Sequence, residues 1–166
     1  MKSSAKRMAV CAMMTALVVV LMFLGAVLEL GMYAAPLFAG ISLILIGHSY
    51  GKRYQIMVWL ASSLLCFILV PNAEQNLFYF CLLGWYPIIR SKLQKLPGII
   101  RLIVKLLIFN VIAIAIESII IYLLLPESLT SGFIAVLLVL GNITFLAYDF
   151  LIPRMEILLI RVAKKV

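Results

Sequence analysis

An all-α bundle of membrane-spanning helices is the fold class this sequence predicts, on three observations. Hydrophobic residues make up 66% of the chain and charged residues only 12%, about half the charged share of an average soluble domain. The apolar residues gather into long runs, of which Met8 to Leu28, MAVCAMMTALVVVLMFLGAVL, contains no charge and a single hydroxyl, that of Thr15. The 14 Lys and Arg residues fall in short clusters beside such runs rather than along a face of their own. About 20 apolar residues carry a helix across the roughly 30 Å hydrocarbon core, so a chain of 166 residues is one domain and nearly all membrane.

The first helix is expected over residues 8–28. Lys2, Lys6 and Arg7 precede it and Glu29 follows, an asymmetry that holds the N-terminus in the cytoplasm. The run exceeds the usual 7 to 15 residues of a secretory signal, and Glu29 replaces a clean cleavage site, so it reads as a permanent span. The second helix, 33–47, contains Pro36 and Gly40 and ends at the turn from Gly47 to Arg53; His48 in that turn is the only histidine. The third, 55–70, returns to the Pro71-Asn72-Ala73-Glu74 turn, which has no basic residue. The fourth, 76–93, is aromatic and enters the basic segment from Arg90 to Lys95. Its Pro87 cannot donate to the Leu83 carbonyl, which predicts a kink around Gly84. A fifth helix over 99–125 and a sixth over 132–160 complete six spans with both termini cytoplasmic. Every Lys and Arg then lies on or near the inner side, and the outer turns carry only Glu29, Glu74 and Glu127, as the positive-inside rule requires.

This placement reassigns the net charge of +8. In a soluble protein it would suggest nucleic acid; beside apolar spans its partner is the anionic headgroup layer, and no nucleic acid is expected. Cys11, Cys66 and Cys81 sit inside apolar runs without metal-ligand spacing, so they read as small packing residues. Neither a metal nor any cofactor is expected.

Charges inside a span cost about 2.5–3.5 kcal/mol each on insertion scales and so mark positions with a reason. Asp149 and Lys105 come out at nearly the same inner depth, which predicts a structural ion pair between the last two helices, with Arg154 as the other candidate partner. Glu117 lies roughly 12 Å below the outer end of the fifth helix, with no basic residue near its depth. It either stays protonated in the apolar interior or faces a watery cavity open to the outside. Asn110, seven residues before Glu117, and Asn142, seven before Asp149, share those helix faces. Tyr79 and Tyr86, also seven apart, are expected to project into the outer half, as cavity wall or as an interfacial belt. Tyr79, Tyr86, Asn110, Glu117 and Asn142 thus sketch an outward-facing small-molecule site, mostly apolar with a few placed polar groups. No Gly-rich phosphate loop, zinc-binding H-E-x-x-H or activated nucleophile appears. The chain therefore reads as a binder without catalytic residues.

The size, the six helices with both ends inside, and the pattern Ala12-Met13-Met14-Thr15-Ala16 after a short basic start together resemble the substrate-binding S components of energy-coupling factor (ECF) importers. The resemblance implies a bacterial cytoplasmic-membrane protein that captures a vitamin-like micronutrient, with a transmembrane coupling subunit and two ATPases as partners. It also implies that Ala9, Ala12 and Ala16 form the face that docks on the coupling subunit; small residues let helices approach closely in any membrane bundle. Two other classes stay open. A cell-shape or cell-envelope scaffold would need a packing surface and no ligand. A small lipid-acting enzyme would use Asp149, Arg154 and Glu156 near the inner face.

Overall fold

The structure, a computed structural model, describes residues 4–28, 31, 33–124 and 131–165, and all of their regular structure is helical. Glu29 and the 125–130 turn with Glu127 lie outside the described residues, as do Lys2 and the side chain of Glu156. Seven α-helices follow one another: α1 (Ser4–Val27), α2 (Ala34–Tyr50), α3 (Lys52–Leu69), α4 (Ala73–Phe78), α5 (Tyr86–Leu93), α6 (Gly98–Leu124) and α7 (Ser131–Lys165), with a π-helical turn at Tyr79–Leu83 between α4 and α5. Four stretches are long and apolar enough to cross a membrane: Ser4–Val27, Lys52–Leu69, Gly98–Ile120 and Leu138–Met155. The apolar α2 is shorter, at 17 residues.

The bundle is built around α2. A helix apolar on all sides belongs inside, and α2 buries eight residues: Ala35, Pro36, Ala39, Gly40, Ile41, Leu43, Ile44 and Ile46. One side, through Ala35, Ala39, Leu43 and Ile46, packs with Val18 and Met22 of α1 and Val58 and Cys66 of α3. The other, through Ile41 and Ile44, packs with Leu82, Tyr86, Phe109, Phe145 and Tyr148 from the later elements. Small residues set how closely the neighbours come. The Cβ of Ala35 fills the space above Gly25, and the Gln55 side chain lies against Gly47.

The fourth segment departs from a single kinked helix. Asn72 starts α4 by accepting from the Gln75 amide at 2.9 Å. Asn76 then donates to the Cys66 and Val70 carbonyls at 3.1 and 3.0 Å, closing the end of α3. After α4 the backbone widens into the π turn, in which the Gly84 amide reaches back to the Tyr79 carbonyl at 2.8 Å. A new helix begins at Tyr86, so Pro87 sits at a helix start, where its missing N–H costs nothing. Trp85 ties the junction by donating its indole N–H to the Cys81 carbonyl. The Leu83 carbonyl, which Pro87 cannot serve, accepts instead from the Tyr148 hydroxyl at 3.2 Å.

This repair demands Gly40. A Cβ at that position would collide with both the Tyr148 hydroxyl and the Leu83 carbonyl oxygen. Backbone cannot retreat as a flexible side chain can, so Gly40→Ala is expected to destabilise the detergent-solubilised protein by about 1–3 kcal/mol. Gly98→Ala, with no atom within 4 Å of its added Cβ, is the control. A thermal melt in which the two variants fall equally would refute the close-approach argument.

Candidate functional site

Among the described residues, two polar centres and an apolar cavity stand out in the half of the bundle formed by α2, the fourth segment, α6 and α7. The α6 and α7 helices are antiparallel, because Lys105, Phe109 and Asn110 meet Asp149, Phe145 and Asn142 in turn.

The first centre is at the basic end. Asp149 accepts from Lys105 Nζ at 2.6 Å through Oδ2, and from Tyr86 Oη at 2.6 Å and Arg90 Nε at 3.1 Å through Oδ1. Tyr86 and Arg90 are four apart on α5 and so share a face. Lys105 comes from α6 and Asp149 from α7, and one carboxylate joins three elements. Lys105, Arg90 and Tyr86 are all buried. The rest of the Arg90 guanidinium is met by Gln94, whose amide, turned with its oxygen inward, accepts from Nη1 and Nη2 at 2.8 Å each. Arg154 is instead exposed and lies over the Phe150 ring, 4.3 Å from its centroid.

The second centre is the reciprocal amide pair of Asn110 and Asn142. Each donates to the other's oxygen, at 2.9 and 2.8 Å, and each also donates to its own helix, to the Leu106 and Leu138 carbonyls. The pair spends its polar groups on joining α6 to α7 and is not on the wall of the cavity.

The cavity runs alongside this pair, from Phe109 and Phe145, whose ring meets Tyr86 edge-on at 4.9 Å, to Glu117 and Leu138. It encloses about 480 Å³ between Pro36 and Leu37 of α2, Phe78, Leu82 and Leu83 of the fourth segment, Phe109, Ala113 and Glu117 of α6, and Gly141 and Phe145 of α7. That volume lies within the range of ordinary small-molecule sites. Tyr33, just before α2, closes part of the wall; it donates to Glu74 at 2.6 Å and meets the Phe78 ring edge-on. Among the described residues, Glu117 is the one charged member of the lining.

The residues picked from the sequence thus separate. Glu117 is on the cavity wall; Asn110 and Asn142 lie one layer below it. Tyr79 is buried against α3, its hydroxyl 2.8 Å from that of Ser62, and neither it nor Tyr86 lines the cavity. The sequence reading had both tyrosines facing one way, as a spacing of seven would in an unbroken helix. The π turn and the break before Tyr86 change the helical phase between them. Missed altogether were the structure's Arg90 and Tyr33. The spacing of Arg90 four residues after Tyr86 is a readable signal for the former; nothing local signals the latter, since its partner Glu74 is 41 positions away. Ala9, Ala12 and Ala16 are exposed on the side of α1 opposite its buried Val18, Met22 and Gly25.

Removing the charge of Asp149 leaves Lys105 and Arg90 buried without a counter-ion. Asp149→Asn should therefore cost about 3–5 kcal/mol, against about 0.6–1.7 kcal/mol for Asn142→Ala, in keeping with measured interhelical hydrogen bonds in membranes. Denaturation in mild detergent would order the two; a smaller loss for Asp149→Asn contradicts the assigned weight of the cluster. Compared with known proteins, the chain matches no family model, no curated protein and no solved structure.

Proposed function

We propose that this protein is the membrane-embedded substrate-binding subunit of an ECF-type importer, crossing the bacterial cytoplasmic membrane six times with both termini inside. The observation that carries the reading is the 480 Å³ cavity in which Glu117 is the charged wall residue among those described. Its Glu117 end is the one turned away from the Asp149 cluster, and under this topology that end faces outside. A scaffold has no need of such a space. The short α2 and the broken fourth segment fit the topology because both are packed within the bundle, where non-ideal backbone is tolerated.

A division of labour follows. The cavity captures a small molecule from outside, and a coupling subunit with two ATPases supplies the energy that reorients the protein and empties it inward. The support for a docking face is that Ala9, Ala12 and Ala16 are exposed on the side of α1 turned away from the bundle. No residue is assigned a catalytic role. The half-buried carboxylate of Asp149 is already engaged by three donors, a poor starting point for acid–base chemistry on a lipid.

The test is copurification of the tagged protein from its native membrane in mild detergent, with mass spectrometry of associated proteins. The expected result is a transmembrane subunit with two ATPases, lost on Ala12→Trp or Ala16→Trp while the variant protein remains folded and in the membrane. Recovery of cell-envelope proteins and no ATPase would overturn the importer reading in favour of a scaffold.

A further inference from the structure

Among the described residues, no protein cation answers Glu117. The sequence contains no Lys or Arg from 8 to 51, from 54 to 89 or from 106 to 153. The nearest on its own helix, Lys105, is about 18 Å down the axis and bound to Asp149. The other polar side chains of the cavity are already engaged: Ser118 and Thr144 donate to the Ile114 and Leu140 carbonyls of their own helices, and Tyr33 to Glu74. Among the described residues, Glu117 takes neither a hydrogen bond nor an ion pair. Glu74 is held by the wall residue Tyr33 from behind the lining, so the charge nearest to this end of the cavity is also negative.

The remaining surface is aromatic and aliphatic. Tyr33, Phe78, Phe109 and Phe145 all contribute to the lining, and ring faces attract positive charge. A carboxylate or phosphate in this space would meet the Glu117 carboxylate and, among the described residues of the lining, no cationic donor. A neutral apolar molecule would fit the walls but leave the Glu117 carboxylate without a partner of opposite charge.

We infer that the cavity selects an organic cation: a protonated amine or quaternary ammonium carried on an apolar, preferably aromatic, body. The cation pairs with Glu117, and the body fills the space between the fourth segment, α6 and α7. This rests on the reading that the cavity is a ligand site, but not on the ATPase partners.

Purified full-length protein in detergent tests it with four probes: benzyltrimethylammonium, 2-phenylethylammonium, the neutral 2-phenylethanol and the anionic 3-phenylpropanoate. Titration calorimetry should show saturable binding of both cations, and the anion should not bind. Glu117→Gln should weaken the cations by about tenfold or more, the scale of a charge-assisted contact, and leave 2-phenylethanol unchanged; Glu117→Asp should retain the cation preference. No saturable cation binding, anion binding as tight as the cations, or undiminished cation binding by Glu117→Gln would each overturn the inference. Should Glu117→Gln fail to fold, the charge preference of the unmodified protein decides alone. Cation selection without any copurifying ATPase would sink the importer reading and leave this one standing.

Discussion

One carboxylate, that of Asp149, holds the second half of this molecule together. It gathers Tyr86 and Arg90 from α5 and Lys105 from α6 onto α7, and no other described side chain bonds to three groups from two other helices. Removal of a hydrophobic contact from a membrane bundle exposes it to lipid that is equally apolar; removal of this carboxylate strands two cations away from water. Of the elements that wall the cavity, α6 and α7 are tied to each other by it. Pro153, four residues on, cannot donate to the Asp149 carbonyl, so the backbone at this position is as specialised as the side chain.

A second constraint runs through α2. Because that helix packs against both halves of the bundle, its small residues are the positions where neighbours come closest, and Gly40 lets the Tyr148 hydroxyl reach a carbonyl orphaned by Pro87. A defect in one element is thus mended by a side chain from another across a gap kept open by a third. This accounts for a fourth segment that is neither a straight helix nor an ordinary proline kink.

Much of this was legible in the sequence, and the boundary is physical. Hydropathy located the helices to within a few residues, since burial of apolar runs needs only local information. The rise of 1.5 Å per residue placed Lys105 and Asp149 at one depth, and their side chains do meet, at 2.6 Å. The directions of Tyr79 and Tyr86 were not legible, because helical phase survives only while the helix is unbroken. Nor was the pairing of Asn110 with Asn142: each was seen on its own helix face, but which faces oppose is a property of the whole bundle.

The joints between α6 and α7 are distributed unevenly. Both the Asp149 cluster and the asparagine pair lie on the same side of Glu117, which is seven residues past the nearer of them on α6. The two helices therefore form a lever whose fulcrum is the amide pair, with an arm of about 10 Å to the carboxyl-bearing turn. A tilt of about 10° about that fulcrum sweeps Glu117 through roughly 2 Å, enough to change a contact from a hydrogen bond to none, while every polar joint below it stays closed.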